Sequence, residues 1–114
     1  MLEGSLSVEK LAGPEPGSTT LRLSGPLLLS NLFAFRDTLK NNEAQLVVVD
    51  LTNVPYIDSA GLGALINGYV SRQHRGRRIA FIGPSERVVA VMKTARVDTV
   101  LPIFPSVDQV SGRA

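Results

Sequence analysis

The sequence predicts a single α/β domain whose helices lie against one sheet, and three observations carry that prediction. Val47, Val48, Val49 and Leu51 form a nearly continuous, largely β-branched apolar run, the mark of a strand covered on both faces of a parallel or mixed sheet. From that run onward strand-like and helix-like segments alternate, which right-handed crossovers convert into helices resting on a common sheet. Near the N-terminus two short alternating segments flank Pro14-Glu15-Pro16-Gly17, a hairpin signal that breaks strict alternation.

The elements follow in order. Ser5 to Leu11 is the first strand, with Leu6, Val8 and Leu11 as inward candidates, and Thr19 to Leu23 is the second, with Leu21 and Leu23 on one face. Gly25-Pro26 ends it. A helix is expected from Ser30 to Lys40, striped by Leu32, Phe35 and Leu39 and closed by Asn41-Asn42. After the central strand, Pro55 delays the next helix, and from Ser59 onward Leu62, Leu65, Ile66 and Tyr69 recur at helical spacing. Arg75-Gly76 breaks that helix, Ile79 to Ile82 is a strand, and Ser85 caps a helix bearing Val88, Val89 and Met92. Leu101 to Phe104 is a short edge strand whose pairing Pro102 and Pro105 limit. Ser106 to Val110 is a last short helix, and residues 1–4 and 111–114 are expected to fray.

A chain of 114 residues with 44% hydrophobic content supports one domain, 1–114, with one core. The absence of cysteine excludes disulfides, a thiol nucleophile and thiolate metal sites. No apolar stretch approaches the roughly 20 residues of a membrane span, and Met1-Leu2-Glu3 does not begin like a signal peptide. A cytoplasmic protein is expected. A net charge of +2 is no argument for nucleic acid.

Asp58-Ser59 stands where a strand passes through a short loop into a helix. Either residue suits the N-cap, since Asp and Ser both lead the capping preferences. Unpaired N–H groups and the positive end of the macrodipole meet there, so a dianionic group on Ser59 would be accommodated. Gly61 and Gly63 are poor helix formers. Close approach of another backbone would explain them.

VVVDLTNVPYIDSAGLGAL, followed by GRRIAFIGPSERVVAVMKTARVDTVLPIF, resembles the STAS family of sulphate transporter and anti-sigma factor antagonist domains, over about half the chain and in the family's order. The resemblance implies a STAS-like domain with a mixed four- or five-stranded sheet flanked by about four helices. It implies a bacterial anti-sigma factor antagonist, a non-enzymatic protein that regulates transcription by binding an anti-sigma factor serine kinase. The kinase carries the ATP, this chain needs no cofactor, and it neither contacts nucleic acid nor inserts into a membrane. The serine after the family's aspartate is Ser59, the expected phosphorylation site. Partner contacts are expected at Asp58, Ser59, Ala60, Gly61, Leu62, Leu27 and Leu28, and a weak homodimer is compatible with this picture. One stretch departs from the family: kinase substrates often carry an acid just after the glycine closing the second strand, whereas Gly25-Pro26-Leu27-Leu28-Leu29 has no carboxylate before Asp37. A greasy contact would replace a polar one. The alternative is a non-switching STAS adaptor or scaffold subunit of a signalling assembly or lipid transport system, docked through Leu27-Leu28-Leu29, with Ser59 only a cap.

Other chemistries fit poorly. Ile57-Asp58-Ser59-Ala60-Gly61 lacks the first glycine of a nucleophile elbow. His74 stands fifteen residues beyond Ser59, about 22 Å along a continuous helix. A dinucleotide fingerprint fails because Ile66 replaces the third glycine. Arg72, His74, Arg75, Arg77 and Arg78 are expected as a solvated helix end suited to the C-terminal dipole. One histidine and scattered carboxylates make no metal cluster.

Overall fold

In the computed structural model, which describes residues 5–110, the strands cross the sheet in chain order. β1 (Ser7–Ala12) runs antiparallel to β2 (Thr19–Ser24), while β2, β3 (Leu46–Asn53), β4 (Arg78–Ile82) and β5 (Ile103–Phe104) are mutually parallel. The crossovers carry α1 (Phe33–Lys40), α2 (Ser59–His74) and α3 (Glu86–Thr94). This is the expected mixed sheet, with five strands. The segment expected as a fourth helix is a single 3-10 turn, Val107–Gln109. The fraying expected of residues 1–4 and 111–114 falls outside the described residues.

Two-residue periodicity sorts β3 between two cores. Val47, Val49 and Leu51 join Leu21, Leu23, Ile79 and Phe81 beneath Phe35, Leu39, Leu65, Val88 and Met92 of the helices. Leu46 and Val48 face the other side with Ala80, Ile82 and Val110. Both faces of the central strand are thus dry, as its composition predicts. Phe35 and Phe81 are fully buried, a burial that contributes about 2–3 kcal/mol for each such side chain. Leu6 and Val8 pack against the helix-side core, but Leu11 pairs with Thr20 and has the opposite strand parity. It therefore points to the other face.

Two helices depart from their expected outlines. α1 begins at Phe33 instead of Ser30, because Asn31 organises a turn of its own. Its Oδ1 accepts from the Leu28 N–H at 2.9 Å and its Nδ2 donates to the Pro26 carbonyl at 2.9 Å. The buried seam of α2 consists of Gly61, Leu62, Ala64, Leu65, Gly68 and Arg72, leaving Ile66 and Tyr69 half-buried at its flank. Small residues let the neighbouring backbone come close, and the seam centres on them rather than on the larger side chains.

Arg72 corrects the expectation of a uniformly solvated basic end. Only 2% exposed, it donates Nε to the Arg78 carbonyl at 3.0 Å, Nη2 to Ala44 at 2.6 Å and Nη1 to Asn42 at 3.4 Å. One guanidinium thus joins the end of α2 to the approaches of β3 and β4. Burial, then Arg77 and Arg75, pull its pKa down to about 10, so it remains a cation at neutral pH. On the Leu46 and Val48 face of β3, burial alone would raise Asp50. The Thr52 hydroxyl and amide, at 2.6 and 2.9 Å, and Arg22 at 3.2 Å overcome that and hold the carboxyl below its ordinary value.

Replacing Arg72 by Met strands those carbonyls without a donor, and urea denaturation is expected to show a loss of about 2–4 kcal/mol. Because Asp50 has a depressed folded pKa, its contribution is present above the unfolded value of 3.8 and lost as pH falls below it. The acid limb of a melting-temperature profile is expected to be shallower for Asp50→Asn than for the unaltered protein.

Candidate functional site

Beyond β2 and β3 the two chains continue side by side. The Gly25 N–H donates to the Asn53 carbonyl at 3.0 Å, Leu27 to Tyr56 at 3.2 Å and Asp58 to Leu27 at 3.3 Å, and Leu27 and Ile57 form an isolated parallel bridge. Gly25 opens this ladder at φ +107° against the Ser5 carbonyl, a place closed to other residues.

Asp58 is the N-cap. Extended at φ −98° and ψ −177°, it places Oδ1 2.7 Å from the Gly61 N–H and Oδ2 3.0 Å from the Leu29 N–H. A single carboxylate therefore caps α2 and clamps the β2–α1 loop to it. Ser59 is left at the first helical position, exposed. Among the described residues its hydroxyl makes no hydrogen bond, and neither its N–H nor that of Ala60 has an acceptor. Of the two expected caps, the structure selects the aspartate.

The two glycines separate in the same way. A methyl group at Gly61 would collide with the Leu27 carbonyl oxygen, whereas one at Gly63 would meet nothing within 4 Å. Close backbone approach explains Gly61 alone.

Leu27 corrects the expected apolar patch. Its side chain is fully buried in the helix-side core, so it shapes the site from beneath. Leu28 is half-buried, and the apolar surface belongs to Leu29, 63% exposed, and Phe33, 49% exposed. Gly61 and Leu62 are also buried, while Asp58 and Ala60 are partly accessible. Leu62 nevertheless contributes to a shallow groove of about 430 Å³ between the start of α2 and α3, lined with Ile57, Ser59, Ala90, Val91 and Thr94. The sequence offers no signal for Phe33, which lies outside the apolar stripe of Leu32, Phe35 and Leu39, nor for the α3 wall, because Ala90 and Thr94 carry no pattern of their own. Arg87 stacks 4.9 Å over Tyr56 beside this groove.

α2 is continuous from Ser59 to His74, which keeps the imidazole at the far end of the helix from the hydroxyl. Ser59 thus has no histidine base within its own chain. What the site offers is an accessible hydroxyl at a helix N-terminus, bordered by apolar surface. Among the described residues no group of three or more His, Cys, Asp or Glu is placed to hold a metal, and no helix is long and apolar enough to cross a membrane.

Asp58→Ala removes both the cap and the clamp. A loss of about 1–2 kcal/mol is expected in chemical denaturation, together with faster hydrogen exchange at the Leu29 and Gly61 amides.

The STAS domain family model matches residues 10–110. Among solved structures, a candidate anti-sigma factor antagonist from Thermotoga maritima aligns with a TM-score of 0.80 at 21% identity, over 90% of this chain and 89% of its own. The anti-sigma factor antagonist SpoIIAA, in its unphosphorylated form, aligns with a TM-score of 0.71 at 13% identity, over 88% of each chain. The murine anion transporter Solute Carrier 26 family member A9 aligns with a TM-score of 0.69 at 20% identity, over 81% of this chain and 17% of the transporter. At these identities the likeness is one of fold, and the fold is the one that the family match requires. With nearly its whole length matched, the chain belongs to the STAS domain family.

Proposed function

We propose that this chain is an anti-sigma factor antagonist that binds a cognate anti-sigma factor serine kinase while Ser59 is unmodified and is released when Ser59 is phosphorylated. The observation that carries this reading is the division of labour between Asp58 and Ser59. The aspartate does the capping, so the exposed serine hydroxyl is not needed to hold the helix. A phosphoryl group would add about −1.5 to −2 charges at neutral pH without removing any bond of the fold. It would meet the free Ser59 and Ala60 N–H groups, where an anion is favoured, but stand beside the Asp58 carboxylate. In an interface of ordinary size, about 800 Å² per partner, burying such a dianion unpaired costs several kcal/mol.

In this reading the kinase binds ATP and performs the chemistry, and the chain is its substrate and inhibitor in the cytoplasm. It affects sigma-factor-dependent transcription without touching nucleic acid. SpoIIAA is described by its phosphorylation state, which supports phosphorylation as the control. The exposed pair Leu29 and Phe33 favours a second reading, a constitutive adaptor. The occurrence of the fold as a small part of a transporter chain supports it too.

The two readings separate in a pull-down from native extract with unmodified protein, Ser59→Ala and Ser59→Asp as parallel baits. The switch requires an ATP-binding anti-sigma factor on the first two baits, with recovery on the third reduced at least about tenfold. Equal capture of a transporter or scaffold component by all three would make the protein an adaptor. Incubating the captured kinase with ATP is expected to add one phosphoryl group to the unmodified protein and none to Ser59→Ala, read by intact mass.

A further inference from the structure

A second site lies away from Ser59. A cleft of about 620 Å³ runs between α1 and α2 toward their C-terminal ends, within the range of about 300–1,000 Å³ common for small-molecule sites. Its floor is apolar, with Leu39 from α1 facing Ala64 and Gly68 of α2. A methyl group at Gly68 would come within 2.6 Å of Leu39 Cδ2, so the absent side chain lets Leu39 lie against α2 and form that floor. The rim is cationic. Arg36 and Lys40 stand one turn apart on α1, and Arg75 follows the end of α2.

Helix-end capping accounts for part of this charge. Arg75 donates to the Lys40 carbonyl at 3.4 Å and lies 3.6 Å from Glu43, the carboxylate in the cleft lining. Glu43 is shared with Arg77 at 2.8 Å, so one acid serves two arginines. Arg36 and Lys40 have no ion-pair partner among the described residues. Arg36 is mid-helix, where it complements no C-terminal dipole, and its guanidinium is stacked 4.5 Å over the Phe33 ring.

We propose that this cleft binds a small aliphatic anion, with its carboxylate or phosphate on Arg36, Lys40 and Arg75 and its chain over Leu39, Ala64 and Gly68. The cation fork suits either head group. The lining contains no aromatic ring on which a nucleobase could stack, which favours an aliphatic body. The proposal is independent of the Ser59 switch, and Ser59→Asp leaves the cleft intact.

The test is an NMR titration of the isotope-labelled full chain with decanoate, decyl phosphate, decanol and inorganic phosphate. Saturable shifts at the Leu39, Ala64 and Gly68 amides with decanoate or decyl phosphate support the site, and the two probes distinguish the head group. The double variant Arg36→Glu/Lys40→Glu, at exposed positions, is expected to bind about tenfold more weakly. Asn67→Trp, also exposed and lining the cleft, is expected to abolish the shifts with the cations intact. Unchanged β3 resonances verify folding in both. Decanol or inorganic phosphate binding as tightly as decanoate, an absence of saturation, or shifts insensitive to both variants would overturn the proposal.

Discussion

The two N–H groups gathered by the Asp58 carboxylate come from different parts of the chain, and the arrangement of the Ser59 surface depends on that sharing. Gly61 belongs to the first turn of α2 and Leu29 to the loop before α1, so the carboxylate sets how far the two stand apart. Gly61 then permits, and Asp58 enforces, contact between the helix and the Leu27 backbone. With a serine as the cap, the hydroxyl would be spent on the helix. With aspartate there, it is available for chemistry.

α2 is tied down at both ends by opposite charges placed where its dipole favours them. Asp58 binds N–H groups at its start, and Arg72 binds carbonyls near its end. Between these anchors small residues hold the seam, which sets the helix close to its neighbours. The lower anchor is the more deeply buried, and the upper one reaches solvent. The Ser59 end is therefore the more accessible end of the helix, and the Arg72 end the more firmly embedded.

Most of the fold is legible in the sequence because its signals are local. The apolar run of β3, the Pro14–Gly17 turn and the strand–helix alternation each specify an element through its own residues. The errors arise where a distant group decides. The start of α1 depends on the Asn31 amide reaching back to Leu28 and Pro26, and the depth of Arg72 depends on carbonyls some thirty residues earlier, at Asn42 and Ala44. At the site, the Asp58-Ser59 pair is legible as a cap but its assignment is not, since that turns on where one carboxylate points. Leu27 reads as surface in a run of three leucines, yet the bridge to Ile57 turns it inward.

Strand order identical to chain order has a consequence for biosynthesis. As the polypeptide leaves the ribosome, each new strand finds the edge it needs already emerged, and none must be threaded between strands laid down before. One tie must wait longer, the two-pronged contact of Glu15 with Arg78, at 3.0 Å on each prong, between the first hairpin and the start of β4. Spanning 63 positions, it cannot close until the fourth strand begins, and of the strands only the short β5 remains to be added after it.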